Sequence, residues 1–360
     1  MADAGRPMKQ DLITCTCVLI IVTIVGWTIH VGRSVVVPIA FAVIVTYIVF
    51  GLAEIFRYLP HVGRRLRSGV RYGSAALLIV LVAWLGVDLL LADTNRMVAV
   101  APRYEATLLV LLSKAAVLLH IETEPTWAAM RREILGAVNL QALLTTLIGS
   151  VSSIIATIVL VLLYAGFFLV EHDRFRQKLL AVMHRKPDFA SVIDDINARI
   201  GTYLALKALL GAVLGVLSWI CMRVVGLEFA GPLAVLIVVL NFVPYAGALV
   251  SVALPTLLAL LQFGSWNEPT FLLISLGVLN FLVGNLLDPW LMGGSMNLSA
   301  SVILMSLAVW GAIWGVAGAF LAVPGTVAFT IICAAFEPTR PLATLLTRDA
   351  APPQAPNPSG

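Results

Sequence analysis

Eight apolar stretches recur along the chain, at Leu12–Ile29, Val35–Ile55, Ser74–Leu91, Leu143–Val170, Thr202–Met222, Gly231–Phe263, Phe271–Leu291 and Ala300–Ala334. Within them apolar residues run on without period-two alternation, so the stretches read as helices rather than barrel strands. Most are close to the roughly 20 residues that a helix needs to cross a hydrocarbon core of about 30 Å. Pro38 falls in the first turn of its helix, where a proline is tolerated. Polar residues gather between the stretches, in a tight loop at His30–Ser34 and in the segments 57–71, 92–142 and 171–200.

Two stretches do not suit a plain span. Gly231–Phe263 has 33 residues, and one continuous helix of that length would be about 50 Å long. Its interior reads LNFVPYAGALVSVALP, with Asn241, Pro244, Tyr245 and Gly247 in the middle and Pro255 at the end. Split at Pro244–Gly247, its first half is about 13 residues, or roughly 20 Å, too short to cross. Two half-helices that enter and leave by one face fit better. Ala300–Ala334 has the same anatomy. Gly311, Gly315 and Gly318 surround Trp314, and Pro324 lies nine residues after Gly315, as Pro255 lies eight after Gly247.

The expected fold is therefore an all-α integral membrane protein. Its eight apolar segments read as six full spans plus two broken-helix hairpins, or as eight spans of which two are kinked, with an external amphipathic helical segment. Residues 1–91 hold the first three spans and 92–142 the extramembrane segment, expected as two amphipathic helices. Residues 143–345 hold a transport core with the broken helices, and 346–360 a disordered Pro-rich tail. The two hairpins would form an inverted pair about the span 271–291. Transporters place their solute sites at such breaks, because irregular backbone at membrane depth persists only where protein or water satisfies it.

Composition agrees with this picture. The chain is 60% hydrophobic and 12% charged, against about 45–50% and 25% for soluble domains. The net charge of +4 is a topology signal rather than a nucleic-acid one. Arg57, Arg64, Arg65, Arg67 and Arg71 fall on the same side as Arg174, Arg176, Lys178, Arg185, Lys186 and Arg199. The positive-inside rule puts that side, and both termini, in the cytoplasm. From Val224 to Thr339 the chain has no Lys or Arg, so the rule is silent there. Lys207 is placed to snorkel to the inner interface. Cys15, Cys17, Cys221 and Cys333 read as inert thiols in apolar segments.

Candidate chemistry is sparse. Gly277, Asn280, Gly284 and Asp288 are spaced to share one face of a regular helix, with Asn285 beside them. Asp288 reads either as a helix-end cap beside Pro289 or as a carboxylate that responds to protons or cations. Asn280 and Asn285 read as interhelical hydrogen-bonders, with direct solute contact as the alternative. Gly211 and Gly215 form a helix-packing face. There is no P-loop, zinc-protease motif or nucleophile elbow, so the sequence points to no enzyme, cofactor or metal.

LNFVPYAGALVSVALP, together with GNLLDPWLMGGSMNLSASVILMSLAVWGAIWGVAGAFLAVPG, resembles the autoinducer-2 exporter family of bacterial multi-pass membrane proteins. The similarity covers about residues 10–345. It implies an oligomeric transporter of the bacterial inner membrane with cytoplasmic termini. Carried over by motif, the residues to watch are Asn241, Pro244, Tyr245, Gly247, Pro255, Asp288, Pro289, Gly293, Gly311, Gly315, Gly318 and Pro324. The leading functional reading is a secondary transporter of a small polar solute, with autoinducer-2-like export implied by the resemblance. A sodium/proton antiporter is the alternative, and a non-transporting membrane scaffold a second one. The expected partners are membrane lipid, the solute, a coupling ion and further copies of the chain, without nucleic acid.

Overall fold

The computed structural model describes residues 16, 20–21, 23–57, 68–118, 140–182, 188–292, 298–335 and 339–347. Apart from an isolated bridge between Leu298 and Thr347, the regular elements among them are helical. In chain order they are α1 (Arg33–Arg57), α2 (Ser68–Leu118), α3 (Leu140–Val182), α4 (Asp188–Val225), α5 (Ala230–Leu240), α6 (Ala246–Phe263) and α7 (Asn267–Leu282). A π-helical segment (Val283–Leu287) leads into α8 (Asp288–Met292), and α9 (Ala300–Trp314), α10 (Val316–Ala335) and α11 (Arg340–Leu346) follow. Among the described residues, seven helices are long and apolar enough to cross a membrane: Arg33–Arg57, Gly69–Ala92, Ser152–His172, Ile200–Val225, Ala246–Phe263, Asn267–Leu291 and Val316–Ala334. The chain is an all-α integral membrane protein. Cys15, Cys17, most of Leu12–Ile29, the basic residues 58–67, the stretch 119–139, Gly293 and the tail beyond 347 lie outside the described residues.

Three boundaries differ from expectation. The loop expected at His30–Ser34 is a single residue. Residues 23–31 are helical, and the Gly32 amide bonds the Thr28 carbonyl while the Gly32 carbonyl accepts from Val35 and Val36. One glycine thus ends one helix and starts the next. The described part of the external segment is not a separate pair of helices. Residues 92–118 continue the third span in one 51-residue helix, α2, about 76 Å long. Segment 171–200 is likewise divided between the end of α3 and the start of α4. A change from apolar to amphipathic composition is not a stop signal. Neither junction carries the Gly cap and following Pro that end a helix, so the backbone ladder runs on beyond the apolar part.

The described residues fall into two compact units, 45–297 and 1–44 with 298–360. In the first, α1 crosses α4 closely: a Cβ on Gly51 would lie 2.4 Å from the Gly201 carbonyl oxygen. The core of this unit joins Leu210, Leu214 and Met222 of α4 with Leu233 and Ile237 of α5, Ala259 of α6 and Leu272 and Leu276 of α7.

Gly231–Phe263 is a hairpin, not a kinked span. Its two feet are tied together by Gln262, whose Oε1 accepts from the Glu228 amide at 2.8 Å and whose Nε2 donates to the Gly226 carbonyl at 2.9 Å. Its tip is so tight that a Cβ on Gly247 would lie 1.9 Å from the Leu240 carbonyl oxygen. In the other unit α9 and α10 form the second hairpin. Gly315 turns it with φ 65° and ψ −137°, a conformation open to glycine. Gly325 lies against the Trp310 ring across the hairpin, and a Cβ on Gly318 would lie 1.8 Å from the Trp310 carbonyl oxygen.

Gly247→Ala and Gly318→Ala are each expected to lower stability by about 1–3 kcal/mol or more, because the added methyl meets backbone. Gly277→Ala, with open space at its Cβ, should be neutral or slightly stabilising. Thermal unfolding of the purified variants checks both. Gln262→Ala should cost about 1–3 kcal/mol by leaving buried hairpin-foot groups unpaired, and should raise amide exchange at 226–247 more than in α7.

Candidate functional site

The first hairpin is seated by small residues. Gly211 and Gly215, four apart on α4, present bare backbone to α5. A Cβ on Gly215 would lie 2.4 Å from Val238 Cγ2 and 3.2 Å from the Ala234 carbonyl oxygen, and one on Gly211 would lie 3.2 Å from Asn241 Nδ2. The packing face read from these glycines is therefore present. It brings the tip of the hairpin onto α4, where Asn241 Nδ2 donates to the Lys207 carbonyl at 3.2 Å.

Lys207 itself does not snorkel. Its side chain is buried, and Nζ meets Asp288 Oδ2 at 2.5 Å. The attraction of a carboxylate at the same depth outweighs the hydration available at the interface, which a four-carbon stem would otherwise reach. Asp288 therefore caps no helix end in isolation: it balances a cation on α4. Its second oxygen, Oδ1, is buried without a hydrogen-bond partner among the described residues. Tyr203, one turn before Lys207 on α4, is buried and faces the Asp288 charge.

The aim of Asp288 depends on the π-helical segment. Pro289 has no amide to bond the Asn285 carbonyl, and its ring crowds that carbonyl in a regular α-helix. The ladder widens instead, and the Asp288 amide bonds the Val283 carbonyl. One inserted residue turns everything beyond it by about 100°. The face expected to join Gly277, Asn280, Gly284 and Asp288 is broken for that reason. Asn280 and Asn285 differ from expectation too: each donates to its own helix, to Leu276 at 3.0 Å and Phe281 at 3.3 Å, rather than across a helix interface.

At the feet of the hairpin a second polar group ties it to α2. Tyr104 donates to Glu228 Oε2 at 2.6 Å. Arg103 reaches Glu228 Oε1 at 3.5 Å and the Gln262 carbonyl at 3.3 Å. Burial, then the bond to Glu228, push the Tyr104 hydroxyl well above the usual phenol range, so it keeps its proton and remains a donor at neutral pH.

The structure thus brings Asn241 and Asp288 to the stretch of α4 that carries Lys207. Pro244 is half-buried in the turn, and Tyr245 is exposed with φ 59°. Pro255 does not break the helix. It is fully buried inside α6, about 12 Å along the axis from Gly247. In the other unit Trp314 donates from its indole to the Ile29 carbonyl at 3.1 Å, and His30 Nδ1 lies 2.7 Å from the Ile313 carbonyl oxygen. Gly311 sits in α9 and Pro324 is buried inside α10, so the turn of that hairpin is Gly315 alone. Lys207, Gln262, Glu228, Arg103 and Tyr104 were not among the candidates. The one sequence signal for Lys207 is its position as a lone cation inside an apolar stretch.

Comparison with known proteins agrees with this architecture. The chain is 28% identical over 268 residues to "Putative transport protein YhhT" of Escherichia coli strain K12, covering 72% of this chain and 76% of that protein. It is 30% identical over 185 residues to "AI-2 transport protein TqsA" of the same strain, covering 51% of this chain and 54% of that protein. The profile described as AI-2E family transporter matches residues 17–337. The match spans most of the chain, and the chain belongs to the AI-2E transporter family.

Proposed function

We propose that this protein is a secondary transporter, a permease or exporter, of a small polar solute. Its pathway passes the tip of the first hairpin. The observation that carries this reading is the reversal of the chain at 241–247 between apolar helices, at the level of the Lys207–Asp288 pair. A turn there supplies backbone and Asn side-chain polarity where a regular span would present none. The solute would be autoinducer-2-like, which is supported by the name of the relative TqsA and by the neutral polar character of Asn241 and Tyr245. Residues 143–345 would form the transport core. Pro244, Gly247 and Pro255 of the first hairpin would line this pathway. The protein would lie in the bacterial inner membrane with both termini cytoplasmic, as a homo-oligomer. The alternative, sodium/proton antiport, is favoured by one observation: Asp288 is a carboxylate inside a candidate span with one oxygen unpartnered.

Full-length protein in liposomes should accumulate at least one labelled solute, from a panel of autoinducer-2, small polyols and amino acids, under an imposed proton or sodium gradient. Asn241→Ala should cut that rate about tenfold, the effect of roughly 1.4 kcal/mol, without loss of folded protein. Absence of gradient-driven flux for every solute would remove the transport reading. Sodium-driven proton movement that survives Asp288→Asn would remove Asp288 from the antiport reading.

A further inference from the structure

We infer that the Lys207 ammonium is a tethered cation occupying a monovalent-cation site built around Asp288, so that this chain carries its own counter-ion and binds no sodium there. The consequence for coupling, that solute movement needs no sodium ion at this position, rests on the transporter reading above; the site itself does not.

A carboxylate inside an apolar span must be balanced by a cation, which can be mobile or covalently attached. The surroundings of Asp288 have the chemistry of a site for a hard monovalent ion. They offer a carboxylate with a second, buried oxygen that has no partner among the described residues. Beside it in the chain, Pro289 brings no amide to the Asn285 carbonyl one turn earlier, and the ladder widens into the π-helical segment. Broken helices hold alkali cations with such carboxylate and main-chain oxygens. The place of the ion is taken by Lys207 Nζ, at 2.5 Å from Oδ2. From α5 to α10 no cation can replace it. The chain has no Lys or Arg between Val224 and Thr339. The π-helical segment and α8 carry no titratable group besides Asp288. α4, the element packed on them, presents Lys207 and Tyr203 to the carboxylate. The burial of the Lys207 stem is explained in the same way: its head is held by the site instead of by water.

Removing the tether should expose the site to ions in solution. The test uses full-length protein in detergent, with unfolding followed by intrinsic fluorescence in sodium chloride or choline chloride at equal ionic strength. Wild type is expected to show the same Tm in both salts. Lys207→Ala should unfold earlier in choline and be rescued by sodium, with a Tm rise of roughly 2–4 °C at about ten times the dissociation constant. Lys207→Ala combined with Asp288→Asn removes both charges and should fold without any sodium response. Three results would overturn the inference. One is a sodium-specific Tm rise in wild type that Asp288→Asn abolishes. Another is Lys207→Ala protein with no difference between the salts. The third is Lys207→Ala that folds in neither salt while the double variant folds. None of these readouts involves flux, so a failed transport assay and a failed cation test are separate outcomes.

Discussion

A chain that reverses direction among apolar helices must satisfy its freed backbone groups within a few residues, and the turn at 241–247 shows how this is done. The Asn241, Phe242, Val243 and Gly247 amides bond the carbonyls of Ile237, Val239, Leu240 and Val243. Pro244 has no amide to satisfy. The close approach of Gly247 to the Leu240 carbonyl leaves no room for a side chain, so the tip is as narrow as backbone allows. The rest of the first unit is arranged around that turn. Gly211 and Gly215 let α5 lie directly on α4, Asn241 finds an acceptor on α4, and Gln262 closes the feet.

The charges of this unit serve two different ends of the hairpin. Arg103 and Glu228 at the feet are substantially exposed, and an ion pair of that kind contributes about 0–1 kcal/mol. The holding force there comes from the buried Tyr104 and Gln262 bonds. Lys207 and Asp288 near the tip are shielded from solvent. Loss of one member of such a pair typically costs about 3–5 kcal/mol, because the other is left as an uncompensated buried charge. The pair joins α8 to α4, on which the turn rests through Asn241.

Much of this was legible in particular residues. The length of Gly231–Phe263 and the cluster Asn241–Gly247 marked the first hairpin, and Gly315 with Gly318 marked the second. Where the reading missed, a regular-helix rule was applied to an irregular helix. Asp288 was assigned a face by counting 3.6 residues per turn through a stretch that Pro289 forces into a π-helix. Lys207 was sent to the interface because a lone lysine has no other local option; its partner lies 81 residues away in the chain. A change in polarity at 92 and 171 suggests helix ends, yet α2 and α3 run on through it because it leaves the backbone ladder intact.

Local covalent and hydrophobic constraints, which act over a few residues, determined from the sequence that the chain is helical, that it spans a membrane, and where its helices break. Tertiary structure alone decided which groups meet. Pairing across α4, α5, α6 and α8 depends on helix phase and close backbone approach, and these emerge only when the helices pack. That is why the breaks were visible in advance, while the Lys207–Asp288 pair and the Gln262 tie between the hairpin feet were not.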